Sequence, residues 1–125
     1  MLPVHAHEAV LELDSDADTD AAAPGAAVTV ELCGHWEHEG TCRWPHCTTL
    51  VSRAGRALTV RVLFAAPEPE RDEARRRIAA GLNRGELAGP GGQVHRWRVI
   101  REEASIPLEG EEPLALELSR RGAGS

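Results

Sequence analysis

Apolar and polar residues alternate with a period of two in several stretches of the chain. Val28, Val30 and Leu32 share one side of an extended segment, with Thr29 and Glu31 on the other. Leu58, Val60, Val62 and Phe64 stand opposite Thr59 and Arg61, and Leu114, Leu116 and Leu118 repeat the spacing further on. This is the pattern of half-buried β-strands, one face on a core and one toward water. Strands are also predicted around residues 9–13, over 48–53 and over 93–101, where His95, Trp97 and Val99 share a face. Ala54 and Gly55 mark a turn that folds 48–53 back onto 56–64.

One segment has the period of a helix. Residues 68–83 follow Pro67, with Pro69 in a first turn that tolerates it. Glu70, Asp72 and Glu73 precede Arg75, Arg76 and Arg77, the order a helix dipole favours. Ala74, Ile78 and Leu82 form the apolar stripe, Gly85 is a natural stop, and the Arg run reads as a solvated helix face. Residues 14–25, acidic and Ala-rich and ending in Pro24 and Gly25, read as a loop. Residues 87–92 read as a second loop and 121–125 as a frayed tail. The expected fold is α+β: a single domain over 1–125, a largely antiparallel sheet of five to six strands, and one helix packed on one face.

Charge changes this picture more than length does. The net charge of −6 divides into −9 over residues 1–42, +7 over 43–101 and −4 over 102–125. A basic surface of that size could meet nucleic acid. No aromatic platform accompanies the Arg residues, so the preferred reading sets acidic and basic strands side by side in one sheet, and a nucleic-acid partner is not expected. All 14 basic residues are Arg, the mark of a GC-rich coding sequence rather than of chemistry. No apolar run approaches a membrane span, and residues 1–13 hold no basic residue of a secretory signal. Three Cys do not make a disulfide scaffold, so the expected compartment is the reducing cytoplasm.

The chemistry-bearing residues are concentrated. Six of the nine His and Cys residues lie within residues 33–47, together with Trp36 and Trp44. Zinc takes imidazole nitrogen and thiolate in a tetrahedron. The preferred ligand set is His35, His38, Cys42 and His46, with Cys33 and Cys47 as alternates. Glu37 and Glu39 could orient the imidazoles. No Cys-x2-Cys pair is present, and Cys42 stands where a His-Glu-x-x-His site would need its second His. Because the ligands are packed into one short loop, a structural metal, serving regulation or contact with a protein partner or a second copy, is the favoured reading.

Two alternatives use the same chain differently. Cys42, beside Arg43 and near His46, could be an activated thiol with Cys47 as resolving partner, in a small enzyme or redox protein. Alternatively, the domain is metal-free and binds partners or a second copy through a sheet edge. The Asp14, Asp16, Asp18, Asp20 series lacks the Gly and Glu of a calcium loop, since Thr19 and Gly25 occupy those places. His5 and His7 are expected in solvent, and His95 as a hydrogen-bonded, half-buried residue.

Overall fold

A computed structural model describes residues 2–14, 18–33, 44–89 and 91–123. The elements run β1 (Val4–Leu13), α1 (Asp18–Cys33), β2 (His46–Ala54), β3 (Ala57–Ala65), a 3₁₀ turn (Glu68–Glu70), α2 (Arg71–Leu82), β4 (Glu86–Ala88), β5 (Val94–Ser105), a second 3₁₀ turn (Glu109–Glu111) and α3 (Glu112–Ala123). The five strands form one sheet in the order β2-β3-β1-β5-β4, and all neighbours are antiparallel. With β4 set aside as a short arm of β5, the order β-α-β-β-α-β is that of a ferredoxin-like split βαβ sheet.

The predicted strands at 48–53 and 93–101 are present and longer, that at 56–64 is present one residue further on, and the helix predicted over 68–83 is present as a 3₁₀ turn followed by α2, ending at Leu82. Gly55 takes the turn between β2 and β3 with φ +60, a conformation that costs a residue without Cβ little. On the first face of the sheet, Ala9, Leu11 and Leu13 of β1, Leu58, Val60, Val62 and Phe64 of β3, and Trp97 of β5 are buried beneath α1 and α2. Alternation thus does what the sequence implied for these three strands. His5 and His7, expected in solvent, lie on this same face and are buried, because β1 begins at Val4 and carries them under α2.

Among the described residues the single expected helix is in fact three. The stretch 14–25 is helical from Asp18, and Val28, Val30 and Leu32 belong to α1 instead of a strand. A period of two also contains a period of four: Ala23 with Ala27, and Val28 with Leu32, lie on the buried face, while Val30 is only partly covered. Close approach explains the small residues. A Cβ on Gly81 of α2 would lie 2.8 Å from the Val28 Cα and 2.9 Å from the Ala27 oxygen, so the two helices touch backbone to backbone. Pro24 lies inside α1 with its ring fully buried.

The same ambiguity hides α3. Leu114 and Leu118 are one turn apart and face the protein, whereas Leu116, counted with them in an alternating strand, is exposed. Glu112 in the first turn and Arg120 and Arg121 in the last suit a helix dipole. This helix covers the second face of the sheet, opposite α1 and α2, over a smaller cluster of Ala6, Leu63, Ala65 and Leu118.

The charge blocks meet as strand neighbours. On the second face Arg98 of β5 reaches Glu12 of β1 at 3.2 Å, and Arg61 of β3 reaches Glu8 of β1 at 3.1 Å. The −9 and +7 segments therefore meet at these two pairs within one sheet.

Candidate functional site

The ligand-rich segment leaves the C-terminal end of α1 and returns into β2, and its return is firmly anchored. Trp44 is buried; its indole N–H donates to Glu70 Oε1 at 3.0 Å, and the Arg77 guanidinium lies over its ring at 5.1 Å. His46 opens β2 on the first face. Its Nδ1 lies 3.1 Å from the Trp44 carbonyl oxygen, and a carbonyl can only accept, so Nδ1 carries the proton. Its Nε2 lies 3.1 Å from Thr29 Oγ1 of α1, and the Thr29 hydroxyl is also 3.2 Å from the Gly25 carbonyl. The contact draws the last turns of α1 against the start of β2.

Beside it runs a groove of about 370 Å³ between α1 and edge strand β2, lined among others by Gly25, Thr29, His46, Thr48, Leu50 and Val60. A Cβ on Gly25 would stand 3.3 Å from Thr48 Cβ, so glycine keeps α1 close to the strand there. Thr48 Oγ1 is buried and has no hydrogen-bond partner among the described residues.

The structure separates the two predicted donors that it describes in full. His46 and Cys47 are adjacent on a strand and so point to opposite faces. His46 meets α1, whereas Cys47, half-buried, packs against the small cluster beneath α3. The side chains of Cys47 and His46 thus do not converge on one face. Cys33 is the last residue of α1, one turn past Thr29. His35, His38 and Cys42 lie outside the described residues, as do Glu37, Glu39 and Arg43. Among the described residues, no group of three or more His, Cys, Asp or Glu is arranged to hold a metal.

Two polar clusters escaped the sequence reading. Under α2, His7 Nε2 lies 3.0 Å from Glu102 Oε2, and Arg75 Nη1 lies 3.2 Å from His7 Nδ1 and donates to the Ala6 carbonyl at 2.7 Å. Arg75 carries only donors, so His7 Nδ1 accepts and Nε2 donates to Glu102. Asn83 closes the cluster by donating to Glu102 Oε1 at 2.7 Å. Burial, helped by nearby Arg71, draws the Arg75 guanidinium below its ordinary value.

On the second face Arg61, 3% exposed, donates to Glu111, Glu8, Ser105 Oγ and the Ile106 carbonyl at 2.8–3.1 Å. The hydrogen bond to Glu111 raises the Arg61 value and holds the Glu111 carboxyl below its ordinary range. Both clusters are internally satisfied, and both tie elements together. Alternation placed Arg61 on a solvent side; the signal to the contrary was that Leu63, Ala65 and Ala6 on that side are apolar.

No protein-family model and no curated protein sequence matches the chain. Among solved structures, the chain is similar to one from the Csm3-Csm4 subcomplex of a type III-A CRISPR-Cas interference complex. That likeness covers 96% of this chain and 97% of the other, at 13% identity and a TM-score of 0.45. A CRISPR-associated protein Cas6 is similar at 14% identity and a TM-score of 0.37, over 85% of this chain and 50% of that one. An aminobenzoyl-glutamate utilization protein from Klebsiella pneumoniae follows at 9% identity and a TM-score of 0.33, over 87% of this chain and 30% of that one. Likeness this distant says nothing of what this chain binds. No helix among the described residues is long and apolar enough to cross a membrane.

Proposed function

We propose that the chain is a small cytoplasmic zinc-binding protein in which a structural metal orders residues 33–47 for contact with a protein partner. The observation that supports this reading is that both flanks of the ligand-rich segment are fixed at α2, α1 by its backbone contact at Gly81 and the return by buried Trp44, bonded to Glu70 and covered by Arg77; this closure is independent of His46 Nε2. Closure supplies part of the convergence that a tetrahedral site requires. His46 has the arrangement of a ligating imidazole, its Nδ1–H held by a carbonyl so that Nε2 is the donor atom. Ligation through Nε2 needs the Thr29 hydroxyl to withdraw, and that hydroxyl already has the Gly25 carbonyl as a partner. His35, His38 and Cys42 are the other ligands, with Cys33 the alternate fourth; Cys47 recedes because it faces away. Imidazole with thiolate suits zinc over harder cations, and the metal supplies folding free energy to the segment that it closes.

Metal analysis of the chain purified without a His tag tests this. One zinc per chain is expected, lost together with several degrees of melting temperature in His38→Ala and Cys42→Ala. Sub-stoichiometric zinc in every preparation, or variants that melt like the parent, overturns it.

A second reading rests on a different observation. Leu50 and Val51 of edge strand β2 are 49% and 52% exposed, and apolar residues on an open edge invite strand pairing. A metal-free protein that sediments as a dimer, and becomes monomeric as Val51→Lys, would favour that reading over zinc.

A further inference from the structure

The second face of the sheet is built differently from the first. Among the described elements only α3 lies on it, and the apolar residues in its cluster are few: Leu118 seats on Ala6, Leu63 and Ala65, flanked by Leu114 and Ala115. The rest of the attachment is polar and sits at the helix ends. Near the C-terminal end, Ser119 Oγ donates to the Leu2 carbonyl at 2.6 Å. At the N-terminal end, the Glu111 carboxylate takes two parallel bonds from Arg61, from Nε at 2.9 Å and from Nη2 at 2.9 Å. A bidentate pair of this kind is among the stronger polar contacts a protein makes. The other Arg61 donors hold Glu8 of β1, Ser105 at the end of β5 and the Ile106 carbonyl. One guanidinium therefore pins the start of α3 to three strands.

We propose that α3 is a releasable cover, latched by the Arg61–Glu111 pair, which lifts off the second face as a unit while the sheet, α1 and α2 stay folded. The first-face core, with Trp44, Phe64, Ile78, Leu82 and Trp97, contains no residue of α3, so lifting the helix leaves it intact. Lifting also strands no buried charge: Arg61 keeps Glu8 and gains water. What it bares is a narrow apolar strip of Ala6, Leu63 and Ala65, with the Cys47 thiol beside it and a guanidinium at one end. None of this depends on a metal.

Cys47 is the natural reporter, because its half-buried thiol packs against the cluster that α3 covers. The test is hydrogen exchange on the full chain as purified, read by mass spectrometry, together with alkylation of Cys47 followed on its own peptide. Backbone amides of α3 should exchange at least about tenfold faster than those of β1 and β3, the signature of a sub-global opening. Glu111→Gln should accelerate both α3 exchange and Cys47 alkylation by about tenfold or more, as expected for loss of a charge-assisted bidentate contact, with β1 and β3 unchanged. Leu118→Ala, which leaves the latch in place, should give the same pattern through the apolar contact. Exchange of α3 in step with β1 and β3 in all three proteins, or Cys47 alkylation that follows β1 and β3, overturns the proposal.

Discussion

The two faces of one sheet are held by different physics. Beneath α1 and α2, large side chains fill the space: Trp44, Phe64, Leu11, Leu13, Leu58, Ile78 and Leu82 are each less than 2% exposed. Beneath α3 the covered residues are mostly alanines and a leucine, and polar contacts add the remaining hold, chiefly a buried Arg61 on Glu111, with Ser119 on the Leu2 carbonyl. Apolar burial is non-directional and scales with area, so the first face resists small changes in geometry. An ion pair is directional, and its strength depends on the charge of both partners. The first face therefore sets whether the chain folds, and the second sets which surface it shows.

The comparison breaks most visibly at Phe64, which contributes a ring to the first face only. Phe64→Ala should lower stability by about 3–5 kcal/mol, the usual result of emptying a packed aromatic site. It also removes the ring that Arg75 covers at 5.3 Å and that His5 packs against at 5.2 Å. Urea unfolding should show one cooperative transition shifted to a lower midpoint. A loss confined to α3, with β1 still protected, would mean that the two faces are not independent.

A subtler break lies where α1 meets α2. In an ordinary helix interior, Gly81→Ala would stabilise by about 1 kcal/mol. Here the new methyl would stand 2.8 Å from the Val28 Cα and 2.9 Å from the Ala27 oxygen, both backbone atoms that cannot swing aside. The expected outcome is destabilisation by about 1–3 kcal/mol, so the sign itself is diagnostic. A variant that melts higher than the parent would show that α1 and α2 are further apart.

These contacts also explain what could be read in the sequence. Strands β3 and β5 and helix α2 were legible because their periods are unambiguous, with Leu58 to Phe64 at two, and Ala74, Ile78 and Leu82 at four. Val28 with Leu32, and Leu114 with Leu118, fit either period, and only the partner element decides. For α1 the decider is a glycine in another helix, far along the chain. The candidate site was legible as a location but not as a geometry. Density of His and Cys marked residues 33–47, yet placing Cys47 and His46 on opposite faces required knowing that β2 starts at His46. The Arg61 latch left a fainter trace, in apolar Leu63 and Ala65 on a side that alternation assigned to water.

The smallest effect separates two carboxylates on the same face. Arg61 holds the Glu111 carboxyl below the usual range for a glutamate, about 4.3. Because the folded value is depressed, its contribution is fully present above the unfolded value and disappears as pH falls through the folded one. Glu111→Gln should therefore cost about 1–2 kcal/mol at neutral pH, and the gap from the parent should close as acid protonates Glu111 in the parent. Glu12 is the internal control, since it pairs with Arg98 at 3.2 Å but both side chains are well exposed, at 44% and 71%. Solvent screening leaves such a pair under about 0.5 kcal/mol, so Glu12→Gln should barely move the urea midpoint at any pH. If the two variants follow the same pH curve, the Arg61–Glu111 pair does not hold the second face, and Arg61 does no more at Glu111 than Arg98 does at Glu12.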